Sequence, residues 1–98
     1  MPDLLCHASK VTIVDGSTLE TANSTWSDIY RFSSGKLLIS SPGRKEYLYG
    51  IVRELEPSRF VVGYMTLLLD DRDEHRILVI HADKLAPKVI ALVCSASL

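Results

Sequence analysis

From Trp26 onward, apolar and polar residues alternate along short segments that are separated by turn-forming residues. Alternation with a period of two is typical of half-buried β-strands. No stretch keeps an apolar period of 3.6 residues for three turns, as an amphipathic helix would. The pattern therefore predicts an all-β, or mainly β, chain whose strands in this part are WSDIYRF, LLIS, KEYLYGIVRE, RFVVGYMTLLL and RILVIHA.

Connections rich in Gly, Pro, Ser and Asp separate these strands, at residues 33–36, 41–44, 55–58 and 70–75. Connections of hairpin length pair neighbouring strands antiparallel. We therefore expect a strongly curved antiparallel meander or a small, partly open barrel, with room for one short helix. With 98 residues, the chain is expected to form a single β domain over residues 1–98.

The two ends of the chain have weaker patterns. Residues 4–16 predict one or two short strands, and residues 17–25 predict a loop or a single helical turn. Residues 87–95 contain enough Val and Ile for a strand, although Pro87 also suits the first turn of a short helix.

The lengths of the predicted turns set a provisional register for the hairpins. The register assumes two-residue loops at 34–35 and 42–43, a four-residue turn at 55–58, and a last hairpin closed on Asp70 and His75. The expected cross-strand pairs are Phe32 with Leu37, Leu38 with Tyr47, Glu54 with Arg59, Tyr49 with Tyr64, Gly50 with Gly63, and Tyr64 with His81.

This register divides the apolar residues between two faces of the sheet. The first face is the predicted core, because burial of each large apolar side chain contributes about 1.5–3 kcal/mol; it comprises Trp26, Tyr30, Phe32, Leu37, Ile39, Leu48, Val52, Val61, Met65, Leu67, Leu69, Leu78 and Ile80. The second face mixes apolar residues with Tyr, Arg and Lys and contains no acid; it comprises Ile29, Arg31, Lys36, Leu38, Tyr47, Tyr49, Ile51, Arg53, Phe60, Val62, Tyr64, Leu68, Ile77, Val79 and His81.

The second face needs a cover, because 47% of the residues are hydrophobic and the mean hydropathy is +0.15. Tyr, Phe and Arg are enriched at protein interfaces. The sequence therefore predicts a homo-oligomer, or a site for a small organic ligand that is anionic or aromatic. The alternative cover is the chain itself, through residues 4–14 and 88–95. The predicted ligand-binding or interface residues are Tyr47, Tyr49, Arg53, Phe60, Tyr64 and His81.

Net charge and the chain ends bear on partners and compartment. The formal net charge of -1 argues against nucleic acid and against an anionic membrane as general partners. No segment approaches the roughly 18 apolar residues that span a bilayer, and residues 1–10 lack the pattern of a signal peptide. These features favour the cytoplasm, where Cys6 and Cys94 are expected to be buried thiols.

The candidate metal ligands do not form a recognised site. Cys6 and His7 are adjacent, so they point to opposite sides of a strand. The run DDRDEH is interrupted by Arg72 and lacks the spacing of a calcium loop, so it is interpreted as a charged turn that opposes aggregation. We expect no cofactor and no metal.

Two alternative functions depend on the same mixed face. Tyr64 and His81 are the simplest acid and base for a small enzyme, although no pattern specifies catalysis. An OB-like surface for single-stranded nucleic acid would use aromatic and basic side chains together, namely Tyr47, Tyr49, Phe60 and Tyr64 with Arg31, Lys36, Arg44, Lys45, Arg53 and Arg59. Residues 25–55 resemble the meanders of small lipocalin-like domains in their order of strands and turns, and this resemblance assigns no functional residue.

Overall fold

The computed structural model describes residues 1–15, 18–23, 28–70, 72–81 and 87–96, and every regular element in these ranges is a β-strand. No helix among the described residues is long and apolar enough to cross a membrane. The strands are β1 (Leu4–Asp15), β2 (Thr18–Asn23), β3 (Ile29–Ser33), β4 (Lys36–Ser40), β5 (Tyr47–Ile51), β6 (Arg53–Glu56), β7 (Arg59–Val62), β8 (Met65–Asp70), β9 (Asp73–His81) and β10 (Lys88–Ala96).

All of these strands belong to one antiparallel sheet that curves into a nearly closed barrel. Nine strands follow one path in the order β5-β4-β3-β1-β10-β9-β8-β7-β6, and β2 pairs with β1 off this path. The long strand β1 has β10 on one side and both β2 and β3 on the other. The predicted all-β antiparallel fold with barrel-like curvature is confirmed, and pairing of the first strand with the last completes the curve.

The segment from β5 to β6 connects the two ends of this path. The sequence predicts one strand here, but the chain changes partner at Val52, since β5 pairs with β4 and β6 pairs with β7. The Val52 amide donates a hydrogen bond to the Gly35 carbonyl at 2.8 Å, which holds the end of β5 on the β3–β4 turn. One continuous segment therefore bonds to both edges of the sheet and brings them together.

The predicted strand RFVVGYMTLLL is a hairpin. A tight turn at Gly63 and Tyr64 separates β7 from β8, and Gly63 has a φ of +54°. A two-residue hairpin turn favours glycine at its first central position, since this position requires a positive φ. In one extended strand, Phe60 and Val62 would lie on the opposite face from Met65 and Leu67. Folding at the turn directs its largest apolar side chains to one face, namely Phe60, Val62, Met65 and Leu67.

One predicted turn is confirmed and the others have different lengths. Ser34 and Gly35 form a two-residue turn with φ values of +52° and +73°, and Phe32 lies opposite Leu37 as predicted. The next connection spans residues 41–46, so Leu38 pairs with Leu48 and not with Tyr47. β4 ends at Ser40 and β5 begins only at Tyr47, so the connection is longer than the predicted two-residue loop.

The remaining registers are wrong by one or two residues. A turn at Pro57 and Ser58 places Glu56, and not Glu54, opposite Arg59. Met65, and not Tyr64, lies opposite His81. The expected pairs Tyr49 with Tyr64 and Gly50 with Gly63 do not form, because β7 pairs with β6 and the β7–β8 turn contains Gly63 and Tyr64.

The ends of the chain are strands. Residues 4–15 form one strand, residues 18–23 form β2 and not a helical turn, and residues 88–96 form β10 and not a helix. These ends extend the barrel wall, so they do not cover a second face of it. The prediction that Trp26 belongs to the core lies outside the described residues.

Cys6 and Cys94 lie directly opposite each other on β1 and β10 and form a disulfide. The prediction that both are buried is confirmed, whereas the prediction that they are free thiols is wrong. The sequence did not predict this disulfide, because the two cysteines are 88 residues apart. Only the closure of the barrel brings the first and last strands together.

The core fills the inside of the barrel and comprises Leu4, Cys6, Ala8, Val11, Tyr30, Phe32, Leu37, Ile39, Phe60, Val62, Met65, Leu67, Ile77, Val79, Ile90, Leu92 and Cys94. Tyr30, Phe32, Leu37 and Ile39 confirm the predicted core face of the β3–β4 hairpin. On β5, β7 and β9 the predicted faces are reversed, because a register error of one residue exchanges the faces of a strand, whereas Met65 and Leu67 on β8 confirm the predicted core. The predicted core residues that are instead exposed are Leu48, Leu78 and Ile80, and the predicted surface residues that are buried are Phe60, Val62, Ile77 and Val79.

Candidate functional site

The six predicted site residues separate into three groups in the structure. Tyr47, Tyr49 and His81 line one cavity. Phe60 is only 6% exposed and belongs to the core, so its predicted place on the functional face is wrong. Arg53 lies on the exposed strand β6, and Tyr64 is 80% exposed at the β7–β8 turn. The first group is the only one of the three that surrounds a common space.

The cavity has a volume of about 180 Å³ and lies at one end of the barrel. It is bounded by the first residues of β5, β8 and β10, by the last residue of β9, and by Asp28 just before β3. We call it the end cavity; its lining residues are Asp28, Tyr30, Ile39, Tyr47, Tyr49, Met65, His81, Lys88 and Ile90.

One wall of the end cavity is a cross-strand row on β8, β9 and β10. Met65 lies opposite His81, and His81 lies opposite Lys88. Side chains of directly opposite residues project to the same face of an antiparallel pair, with Cβ atoms about 4.5–5.5 Å apart. A thioether, an imidazole and an ammonium group are therefore adjacent along this wall.

The facing wall is a second row, on β3, β4 and β5. Tyr30 lies opposite Ile39, and Ile39 lies opposite Tyr47. Tyr30 and Ile39 are buried, whereas Tyr47 is exposed at the mouth of the cavity. This wall is therefore apolar in its depth and ends in a phenol at the surface.

Tyr49 reaches the end cavity from the seam between β5 and β7. Its ring lies against Gly63, because a Cβ atom at that glycine would be 3.0 Å from Tyr49 Cε1. The same seam brings Gly50 close to Val62, where a Cβ atom would be 3.0 Å from Val62 Cγ2. The two glycines are not a ladder pair, but each allows a side chain from the opposite edge to pack closely.

His81 contributes a half-buried imidazole to the cavity wall. Its Nδ1 is buried and has no hydrogen-bond partner among the residues that the structure describes. A buried polar atom without a partner costs about 1–3 kcal/mol, because it has lost its bonds to water and gained none in return. A hydrogen bond to Nδ1 would remove this cost.

Charged groups of opposite sign stand at the mouth of the end cavity. Lys88 and Asp28 are both half-buried and both line it. The walls below them are aromatic or aliphatic, apart from His81. This is the arrangement typical of small-molecule sites, in which apolar walls bind the body of a ligand and a few polar groups orient it.

An exposed ion pair lies outside the end cavity and joins β3 to the connection that precedes β5. Arg31 on β3 donates from Nε to Glu46 Oε2 at 2.9 Å, and its Nη2 also bonds the same carboxylate. The guanidinium hydrogen bond lowers the pKa of the Glu46 carboxyl from its ordinary value of 4.5. The carboxylate in turn raises the pKa of Arg31.

The predicted acid and base of a small enzyme are not neighbours in the ladder. Met65 occupies the place opposite His81, while Tyr64 stands in the turn beyond the end of β8. The prediction that Tyr64 and His81 face each other is wrong because the turn begins at Gly63. Among the described residues, no three His, Cys, Asp or Glu side chains are grouped so that they could hold a metal ion.

Sequence reasoning missed the lining residues that come from distant strands: Asp28, Tyr30, Ile39, Met65, Lys88 and Ile90. The β3–β4 hairpin could have supplied two of them, since Tyr30 and Ile39 were placed correctly on the core face. Lys88 could not be found, because its position beside His81 requires the pairing of β9 with β10.

Comparison of the chain with family models, curated proteins and solved structures gives no match.

Proposed function

We propose that this protein is a non-catalytic binding module whose end cavity takes a small organic molecule, namely a single ring that carries one hydroxyl or carboxyl group. The observation that supports this most directly is His81, which lines a largely apolar cavity and whose buried Nδ1 has no hydrogen-bond partner among the described residues. A buried polar atom without a hydrogen bond destabilises the protein, and a ligand that provides this hydrogen bond removes the destabilisation.

The volume limits the size of the ligand. Cavities for drug-sized molecules measure about 300–1,000 Å³, and an apolar cavity of about 150 Å³ is sufficient for benzene. The end cavity, at about 180 Å³, therefore fits one six-membered ring with a small substituent.

The walls of the end cavity determine the orientation of the ligand. The apolar depth, formed by Ile39, Met65 and Ile90, would receive the ring, while the polar group would point to His81. Lys88 lies beside His81, so an anionic group at this position also meets a positive charge. This gives carboxylates an advantage over neutral rings of the same size.

The test is a titration of the 98-residue chain with benzoate, phenol and benzene, in which NMR chemical shifts of the methyl groups of Ile39 and Ile90 report binding. Ligands of this size bind with dissociation constants on the order of 0.1–1 mM when the site fits. We expect benzoate and phenol to shift both residues and to bind more tightly than benzene. If none of the three compounds shifts these methyl signals at millimolar concentration, the proposal is contradicted.

His81→Phe is the matched variant, because it keeps an aromatic ring in the wall and removes Nδ1. We expect it to weaken benzoate and phenol by about tenfold, in accord with the loss of one hydrogen bond, and to leave benzene unchanged or slightly improved. His75→Phe is the control, since His75 is exposed and lies outside the end cavity. Equal losses for all three compounds in His81→Phe would point to a distorted cavity.

Binding of single-stranded nucleic acid is the alternative with a cheap test, namely retention on single-stranded DNA or RNA at increasing salt. Binding through phosphates weakens steeply with salt, so a signal that is absent or insensitive to salt removes this function. The ion pair with Glu46 already engages Arg31, one of the basic residues in that prediction, which favours the ligand function.

The cytoplasmic location predicted from the sequence stays a prediction, and the disulfide provides its test. Disulfides persist in oxidising compartments, and cytosolic thiols are kept reduced. Both cysteines are buried, so alkylation in denaturant at the moment of cell lysis would report the state of Cys6 and Cys94. Full alkylation favours the cytoplasm, and resistance to alkylation favours an oxidising compartment.

A further inference from the structure

The ring of Tyr49 closes one side of the end cavity. Tyr49 lines the cavity, is half-buried and packs against the core. On its other side the ring contacts Gly63, where a Cβ atom would lie 3.0 Å from Tyr49 Cε1 and 3.3 Å from Tyr49 Oη. Gly63 is exposed in the β7–β8 turn. The ring therefore stands between the end cavity and the surface of the barrel.

A β-bulge on β5 places Tyr49 outside the regular ladder. In the pairing of β4 with β5, Leu38 lies opposite Leu48, and Leu37 lies opposite Gly50. Tyr49 is the extra residue between these pairs, so it has no ladder partner on β4. A bulge bends its strand and can re-aim a side chain, and bulges are over-represented next to active sites. The bulge therefore allows the ring of Tyr49 to cross the seam to Gly63.

Side-chain packing forms the wall of the barrel at this seam. β5 pairs with β4, whereas β7 pairs with β6 and β8. The contacts across the seam include Tyr49 on Gly63, and Val62 on Gly50. A smaller side chain at position 49 would break no ladder there, and it would leave a void because the surroundings of a large-to-small substitution relax only partially.

The other sides of the end cavity offer less room for a larger ligand. Ile39, Met65 and Ile90 are buried core residues on paired strands, and a close-packed core resists the insertion of extra atoms. At the mouth, Asp28 and Lys88 are half-buried. An apolar second ring placed over them would remove water from charged groups, which is unfavourable. A larger ligand therefore needs the space that Tyr49 occupies.

We propose that Tyr49 is the residue that limits the size of the ligand in the end cavity. Its ring restricts the site to one six-membered ring, and a smaller residue at position 49 admits a fused two-ring carboxylate. Tyr49 acts through the volume of its ring, because the ring fills the space between the cavity and Gly63. The inference rests on the proposed binding function and adds the residue that sets its specificity.

The experiment compares benzoate with 2-naphthoate, which carries the same carboxylate and a second, fused ring. NMR titrations of the 98-residue chain measure both dissociation constants. For the wild type we expect 2-naphthoate to bind at least about tenfold more weakly than benzoate, because a ligand that is too large overpacks the cavity. For Tyr49→Ala we expect the reverse order, since the second ring fills the void that the substitution leaves.

Two variants serve as controls. Tyr49→Phe keeps the ring and removes the hydroxyl, so it should retain the preference of the wild type for benzoate. Tyr47→Ala removes an aromatic ring from the same strand, but Tyr47 is 52% exposed at the mouth, so this variant should also prefer benzoate. A preference for 2-naphthoate in either control overturns the proposal, and so does a Tyr49→Ala variant that still binds benzoate more tightly.

A further measurement needs no variant. With benzoate bound to the wild type, NOEs should connect the ring protons of the ligand to the ring of Tyr49 and to the methyl group of Met65. If benzoate binds but these NOEs to Tyr49 are absent, or if 2-naphthoate binds the wild type as tightly as benzoate, the size limit is wrong and the binding function stands. If neither compound binds the wild type or any variant, both proposals are wrong.

Discussion

The ring of Tyr49 packs directly on Gly63, with Cε1 only 3.0 Å from the place where a Cβ atom would be. Gly63 has a φ of +54°, so it also makes the tight turn between β7 and β8. One residue therefore does two things: it reverses the chain, and it leaves room for a side chain from the opposite edge of the sheet. The seam of the barrel and the position of Tyr49 in the end cavity both depend on it.

Gly63→Ala should lower the free energy of unfolding by about 2–4 kcal/mol, because a left-handed φ and a crowded contact are both penalised. Gly43→Ala is the matched control. Gly43 has a φ of +74°, but a Cβ atom there would meet open space, so we expect only about 1–2 kcal/mol. Urea unfolding of the two variants measures the difference, and equal losses would show that the Tyr49 contact adds nothing.

Phe60→Ala should destabilise the protein by about 3–5 kcal/mol, since it empties part of the core. Leu48→Ala should change stability by no more than about 1 kcal/mol, because Leu48 is 54% exposed. Denaturant titrations of both variants test the two faces directly. The assignment from the sequence alone predicts the opposite order, so a larger loss in Leu48→Ala would restore it.

Reduction of the Cys6–Cys94 disulfide should lower the free energy of unfolding by about 2–5 kcal/mol. The bond joins residues separated by 88 positions and so restricts the unfolded chain strongly. Unfolding curves with and without a thiol reductant measure the change, and the reduced wild type keeps both sulfur atoms in the core. Cys6→Ala/Cys94→Ala is the control and should not respond to the reductant. A wild type equally indifferent to the reductant would contradict a stabilising bond.

Arg31→Gln should raise the pKa of Glu46 toward its ordinary value of 4.5, because the variant lacks the guanidinium that lowers it. A carboxyl whose pKa is lowered by folding stabilises the protein above the unfolded pKa. That contribution disappears as the pH falls through the folded pKa. NMR titration of the Glu46 carboxyl in the two proteins measures the shift, and added salt should reduce the shift in the wild type, since both side chains are accessible to solvent. An unchanged pKa in Arg31→Gln would refute the ion pair.

The β3–β4 hairpin is the part of the structure that the sequence predicted most completely. Its strands alternate cleanly, and the Ser-Gly turn between them fixes the register, so Tyr30, Phe32, Leu37 and Ile39 were placed in the core correctly. The next hairpins failed because an apolar run without Pro, Asn or Asp, such as FVVGYM, gives little sign of a turn. The turn at Gly63 reversed the predicted faces of Phe60 and Val62 on β7.

Part of the end cavity was also accessible from the sequence. Tyr47, Tyr49 and His81 were selected because aromatic and polar residues shared a predicted surface, and the structure places all three around one cavity at the end of the barrel. Arg53 and Tyr64 lie elsewhere, since the change of partner at Val52 and the turn at Gly63 separate them from the cavity.

The sequence by itself determined that this chain is made of antiparallel strands, because the alternation of apolar and polar residues is a local property of each segment. Only the tertiary structure decided which face of each strand is inside, and which strands meet. The pairing of β1 with β10, the Cys6–Cys94 bond and the approach of Lys88 to His81 depend on closure of the sheet into a barrel. Closure is driven by burial summed over the whole core, and no single segment of the sequence carries that sum.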